Sequence, residues 1–106
     1  MTQYRVIVSD RAKTMLGAHI KFMAQINPSA ARDIKTRLLA AIRSLSTMPE
    51  RLPFLDEEFV PRGKYRKMFV ERRYLLLCQI KEQAVYVDYI VDCRQDYGWL
   101  MAGALK

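Results

Sequence analysis

The residues best suited to chemistry in this chain are cations, and they crowd into one short span. Arg62, Lys64, Arg66, Lys67, Arg72 and Arg73 fall within residues 62–73 against Glu71 alone, a net 6 − 1 = +5 over twelve positions. Clustered guanidinium and ammonium groups are the side chains that hold phosphate oxygens. Tyr65 and Phe69, interleaved with them, add flat rings on which bases can stack. A second set, Cys93-Arg94-Gln95-Asp96-Tyr97, follows the last apolar run and offers another cation, a carboxylate and another ring. Just upstream of the basic span, Asp56-Glu57-Glu58 carries −3. The remaining reactive types are sparse. His19 is the only histidine and sits in an apolar helical stripe, which makes it a core group. No Cys/His cluster has metal-ligand spacing, and a single histidine cannot build one, so neither metal nor cofactor is expected.

The whole chain repeats the bias of its basic span. Its 106 residues hold 18 Lys and Arg against 11 Asp and Glu, a net charge of +7. A small domain with that excess meets a polyanion or an acidic protein. The length fits one domain covering residues 1–106, and 51% apolar residues suffice for a modest core. No apolar run reaches the ~18 residues that a membrane span requires. The amino terminus, MTQYRVIVSDR, enters a strand within four residues and has no signal-peptide apolar region, so a cytoplasmic location is expected.

The elements that must position these residues are legible from periodicity. Tyr4–Ser9 alternates as a first strand, and Ser9 or Asp10 can cap a helix whose stripe is Ala12, Met15, Leu16, His19, Phe22, Met23 and Ile26. Asn27-Pro28 then starts a second helix, burying Ala31, Ile34, Leu38, Ala41, Ile42 and Leu45 and ending before Pro49. The connector 48–63 holds Pro49, Pro53, Pro61 and Gly63 and is predicted to be irregular, pinned by Phe54, Leu55 and Phe59. Three runs follow: KYRKMFV (64–70), YLLLCQI (74–80) and AVYVDYIVD (84–92). Their short links force antiparallel neighbours, since a parallel pair needs a crossover of a dozen or more residues. The middle run, uncharged from Tyr74 to Cys78, reads as buried on both faces. Strict alternation places Val85, Val87, Tyr89 and Val91 on one face of the third run, and pairs Cys78 with Tyr86, far from Cys93, so no disulfide is expected. The resulting fold is α+β: a two-helix hairpin on one face of a four-stranded, mainly antiparallel sheet. The other face is expected to be open, and polar or functional.

This order, with YRKMFV, YLLLCQI and the ending VDYIVDCRQDY, resembles the RelE/ParE superfamily of bacterial type II toxins from Tyr4 to Leu100. The resemblance implies a basic toxin neutralised by an acidic antitoxin that wraps around it. RelE- and YoeB-like members cut mRNA on the ribosome, whereas ParE-like members poison DNA gyrase. The match to the cutting branch implies Arg66, Lys67, Arg94 and Tyr97 as catalytic residues, with Lys64, Arg66, Lys67, Arg72, Arg73 and Arg94 binding nucleic acid. Ribosome-dependent mRNA cleavage is therefore the expected activity, with gyrase poisoning or a non-toxic basic nucleic-acid-binding module as alternatives. Two departures bear on that expectation. Leu75 stands where RelE-like toxins carry an arginine, leaving only Arg72 and Arg73 to replace it. Asp96-Tyr97 stands where YoeB-like toxins end in His-Tyr, and an exposed carboxylate with a pKa of about 4 is a weak base.

Overall fold

Both α-helices among the described residues begin at a side chain that substitutes for a missing backbone acceptor. The structure, a computed structural model, describes residues 3–56 and 61–94. Asp96 and Tyr97, like Phe59 and the acidic pair Glu57-Glu58, lie outside the described residues. Strand β1 (Arg5–Val8) leads into helix α1 (Asp10–Ile26), and helix α2 (Pro28–Ser44) follows at once. The Ser9 hydroxyl accepts from the Ala12 N–H at 3.0 Å and caps α1. The Asn27 carbonyl accepts from the Ala30 N–H at 3.1 Å and caps α2, with Pro28 in the first turn, where its absent N–H costs nothing.

The meander completes the described chain as β2 (Arg66–Val70), β3 (Tyr74–Lys81) and β4 (Ala84–Asp92). Strand order is β1-β4-β3-β2, antiparallel throughout except that β1 lies parallel to β4. The chain leaves β1 through the helical hairpin, long enough for such a crossover. Tight turns hold the meander, with Glu71, Arg72 and Glu82 in left-handed backbone (φ 58°, 57° and 57°), the twist that short hairpin loops demand.

The helices bury Ala12, Leu38, Ile42 and Leu45 against Val70, Tyr74, Leu76, Cys78, Val85, Val87 and Ile90 of the sheet. His19 takes the core role its position predicts: it is buried, and its Nε2 donates to the Ile90 carbonyl at 2.7 Å. Cys78 is also buried, and burial pushes its thiol from 9.0 up to about 11. The folded state thus favours the neutral thiol. That stabilisation, on the order of 3 kcal/mol, is complete below pH 9 and is lost as pH rises towards 11. Cys78→Ala is expected to flatten the fall in unfolding free energy between pH 9 and 11, measured by urea titration at each pH.

Three expectations need correction. The first concerns β4, where alternation does not run unbroken. Leu77 pairs with Tyr89 but Cys78 with Val87, so Asp88 is an extra residue, a β-bulge. The bulge reverses the phase: Val85 and Val87 share the helix-side core with Ile90, while Tyr89 and Val91 face the opposite side. It also moves Tyr86 opposite Gln79 instead of Cys78. The second concerns the face away from the helices, which is not open. Leu55, Tyr65, Leu75, Leu77, Tyr89 and Val91 form a second cluster there, none more than 6% exposed, with Met15 of α1 packed against it. The third concerns the connector, which is more ordered than its prolines suggest. It makes a 3-10 turn at Pro49–Arg51 and then pairs with the edge of β2 through a Phe54–Arg66 bridge. Leu52 and Leu55 are its buried anchors, whereas Phe54 is 46% exposed.

Candidate functional site

Neighbouring residues on a strand point to opposite faces, and this divides the basic cluster at once. Met68 and Val70 of β2 pack on the helix side and Tyr65 on the other, so Arg66 and Lys67 leave the sheet in opposite directions. Strand geometry therefore does not bring the two cations together on one face.

Arg66 is committed to the scaffold. One Nη donates to the carbonyls of Glu50 (3.1 Å) and Leu52 (2.7 Å), and the guanidinium lies 4.2 Å from the Phe54 ring centre. It fastens the connector to the sheet edge. Arg66→Ala removes two charge-assisted hydrogen bonds and a cation–π contact, an expected loss of about 2–4 kcal/mol, checked by urea unfolding.

Arg73 is committed as well. Its guanidinium donates to the buried Asp92 carboxylate, Nη2 to Oδ2 at 3.0 Å, with side chains 18% and 1% exposed. The hydrogen bond to Asp92 raises its pKa further. Asp92 also accepts the Arg94 N–H at 3.0 Å, and the Arg73 carbonyl accepts the Cys93 N–H at 2.7 Å. One residue of the β2–β3 turn thereby holds the exit of β4.

The other predicted cations fall into two separate places. Arg72 and Arg94 are exposed at the end of the sheet where the Arg73–Asp92 clamp sits. Lys64 is exposed in the turn at the opposite end of β2, its Nζ 5.3 Å from the Tyr65 ring centre. Six steps of largely extended chain lead from Lys64 to Val70, about 20 Å at ~3.3 Å per step. Lys67 is half-buried between these ends and donates its backbone N–H to Pro53. Tyr97 lies outside the described residues. Leu75, at the position where a RelE-like arginine would stand, is buried in the second cluster.

The structure adds residues that periodicity did not single out. Arg11 donates to the Tyr89 hydroxyl and lies 4.7 Å over its ring. Burial pushes the neighbouring Tyr65 hydroxyl up to about 12, helped by Tyr89 and Asp88 and opposed by the Arg11 charge. Asp92 was visible only as the polar end of an apolar run. No pattern in the sequence could pair it with Arg73, nineteen residues away.

A helical hairpin packed on this meander, with a clamped basic end, defines the class to which the chain conforms: a RelE/ParE-like α+β toxin fold. The family model described as "ParE toxin of type II toxin-antitoxin system, parDE" matches residues 6–97, and the chain belongs to that family. The solved structure titled "Chromosomal ParDE TA system from P. aeruginosa" superposes with a TM-score of 0.71 at 14% identity, covering 85% of this chain and 96% of that one. At that identity the likeness is one of fold. Among curated proteins, none matches the sequence. Among the described residues, no helix is long and apolar enough to cross a membrane.

Proposed function

We propose that this chain is the toxin of a ParDE-like module, restrained by an acidic antitoxin, and that its target is DNA gyrase rather than mRNA on the ribosome. The observation that carries the choice of target is the commitment of Arg66 and Arg73 to the scaffold. In-line cleavage of RNA needs cations preorganised around a developing phosphorane charge, with a proton acceptor beside them. Here the two arginines best placed by sequence donate to Glu50, Leu52 and Asp92 of the chain itself. Leu75 supplies no charge, and the remaining cations are spread along β2 and beyond both its ends. The match of the ParE family over residues 6–97 supports the same target. Gyrase poisoning demands only a docking surface, which the exposed Arg72 and Arg94 end of the sheet can provide. The net charge of +7 suits an acidic restraining partner.

The test is controlled expression with two readouts. Growth arrest should be accompanied by DNA-damage signalling, and purified protein should accumulate cleaved DNA–gyrase complexes on plasmid DNA. Primer extension on mRNA from the same cells should show no new 5′ ends. New cuts in translated mRNA without gyrase-linked breaks would overturn the choice of target in favour of ribosome-dependent cleavage.

A further inference from the structure

Beside the fastened guanidinium of Arg66 lies a pocket of about 240 Å³ at the sheet edge, lined by Phe54, Gly63, Lys64, Arg66, Gln79 and Ile80. Two of the six are cations and none is an acid. We propose that this pocket binds the carboxylate of an acidic residue from a partner polypeptide. The proposal rests on the reading of this chain as a toxin held by an acidic protein, and it names one anchoring point for that partner.

Arg66 is preorganised for such a task. Its one Nη is occupied by the Glu50 and Leu52 carbonyls and its plane is stacked on Phe54, so little side-chain freedom is left to lose on binding. The Nε–Nη2 edge makes no hydrogen bond with the described residues, and that edge presents two parallel N–H groups matching a carboxylate. Lys64, exposed and without an ion pair among the described residues, adds a second charge. The nearby carboxylates are already engaged: Glu50 accepts the Tyr4 hydroxyl, and Asp88 accepts the Gln79 side-chain N–H at 2.6 Å. Phe54 and Ile80 line an apolar wall suited to the methylene stem of a glutamate. A nucleic-acid backbone would instead need a run of cations spaced along an open surface, whereas this is one pocket with an apolar side.

The experiment uses the full chain and nuclear magnetic resonance titration with N-acetylglutamate amide, its neutral glutamine counterpart, and inorganic phosphate. The glutamate probe should shift the Gly63 amide, the Arg66 Nε–H and the Gln79 side-chain amide saturably, with a Kd on the order of 10 mM, the weakness expected of one small group. The glutamine probe should not. Lys64→Gln should weaken glutamate binding up to about fivefold, the scale of one exposed charge pair, while signals of β1 and the two helices stay in place. No saturable shift at these residues, or equal shifts with glutamine, would refute the pocket as a carboxylate site. Phosphate binding tenfold tighter than glutamate would refute it in favour of a nucleic-acid contact. These outcomes concern the pocket alone; failure of the toxin reading would register separately, in the gyrase and growth assays.

Discussion

Asp92→Ala is expected to lower the melting temperature of this protein by about 12 °C or more. The Asp92 carboxylate is 1% exposed and receives the Arg73 guanidinium and the Arg94 N–H. Removing one member of such a pair strands the other charge in a poorly solvated site, at about 3–5 kcal/mol. A domain of this size loses roughly 4–8 °C per kcal/mol. Asp92→Asn should cost less, because its amide oxygen can still accept from Arg94. Replacing both members at once, as Arg73→Met with Asp92→Leu, should recover much of the loss, since no unpaired charge is left inside. Thermal unfolding followed by circular dichroism reads all three. A single Asp92→Ala variant melting within 3 °C of the parent would show that the clamp contributes little.

Arg94→Ala should behave in the opposite way, leaving the fold intact and removing the activity. The Arg94 side chain is exposed, and the one bond described for the residue uses its backbone N–H, which alanine keeps. Its melting temperature should stay within about 2 °C, as expected for an exposed side chain away from packing and caps. If the end of the sheet bearing Arg72 and Arg94 docks on the target, Arg94 is placed as an interface arginine of the kind whose truncation costs about 2 kcal/mol or more, roughly 30-fold in affinity. The concentration needed for gyrase-dependent DNA cleavage should rise by that factor, and expression should no longer arrest growth. A stable Arg94→Ala protein with undiminished toxicity would remove this end of the sheet from the target surface. Arg66→Ala gives the contrast, because any activity it loses should be lost together with stability.

Much of the architecture was legible because it depends on local physics. Asn27-Pro28 starts a helix wherever it stands before an apolar stripe, and the Ser9 cap and the two stripes needed no long-range information. The three close-spaced runs could only pair antiparallel. The apolar stretch Tyr74–Cys78 already signalled burial on both faces, and that signal conflicted with an open sheet face. The second cluster around Leu75 and Leu77 resolves the conflict in favour of the stretch.

Contacts across the fold settle how residues distant in the chain share a charge or a register. A period-two pattern carries no mark of the single extra residue at Asp88, because a bulge is settled by pairing with β3 and by what neighbours the unpaired group; here Ser9 donates to the Asp88 carbonyl at 3.1 Å. Composition likewise counts Arg66, Lys67, Arg73 and Arg94 as equivalent cations. Strand direction sends Arg66 and Lys67 to opposite faces, the connector carbonyls take Arg66, and Asp92 takes Arg73. A cation reaches a ligand only through the N–H groups that its own fold has not taken: the buried Asp92 carboxylate engages Arg73, whereas Arg66 gives one Nη to the connector carbonyls and keeps its Nε–Nη2 edge. Local patterning was therefore enough for a basic βααβββ domain with its core. The packing of the connector and of the exit of β4 decided which arginine donors hold that domain together and which face outward.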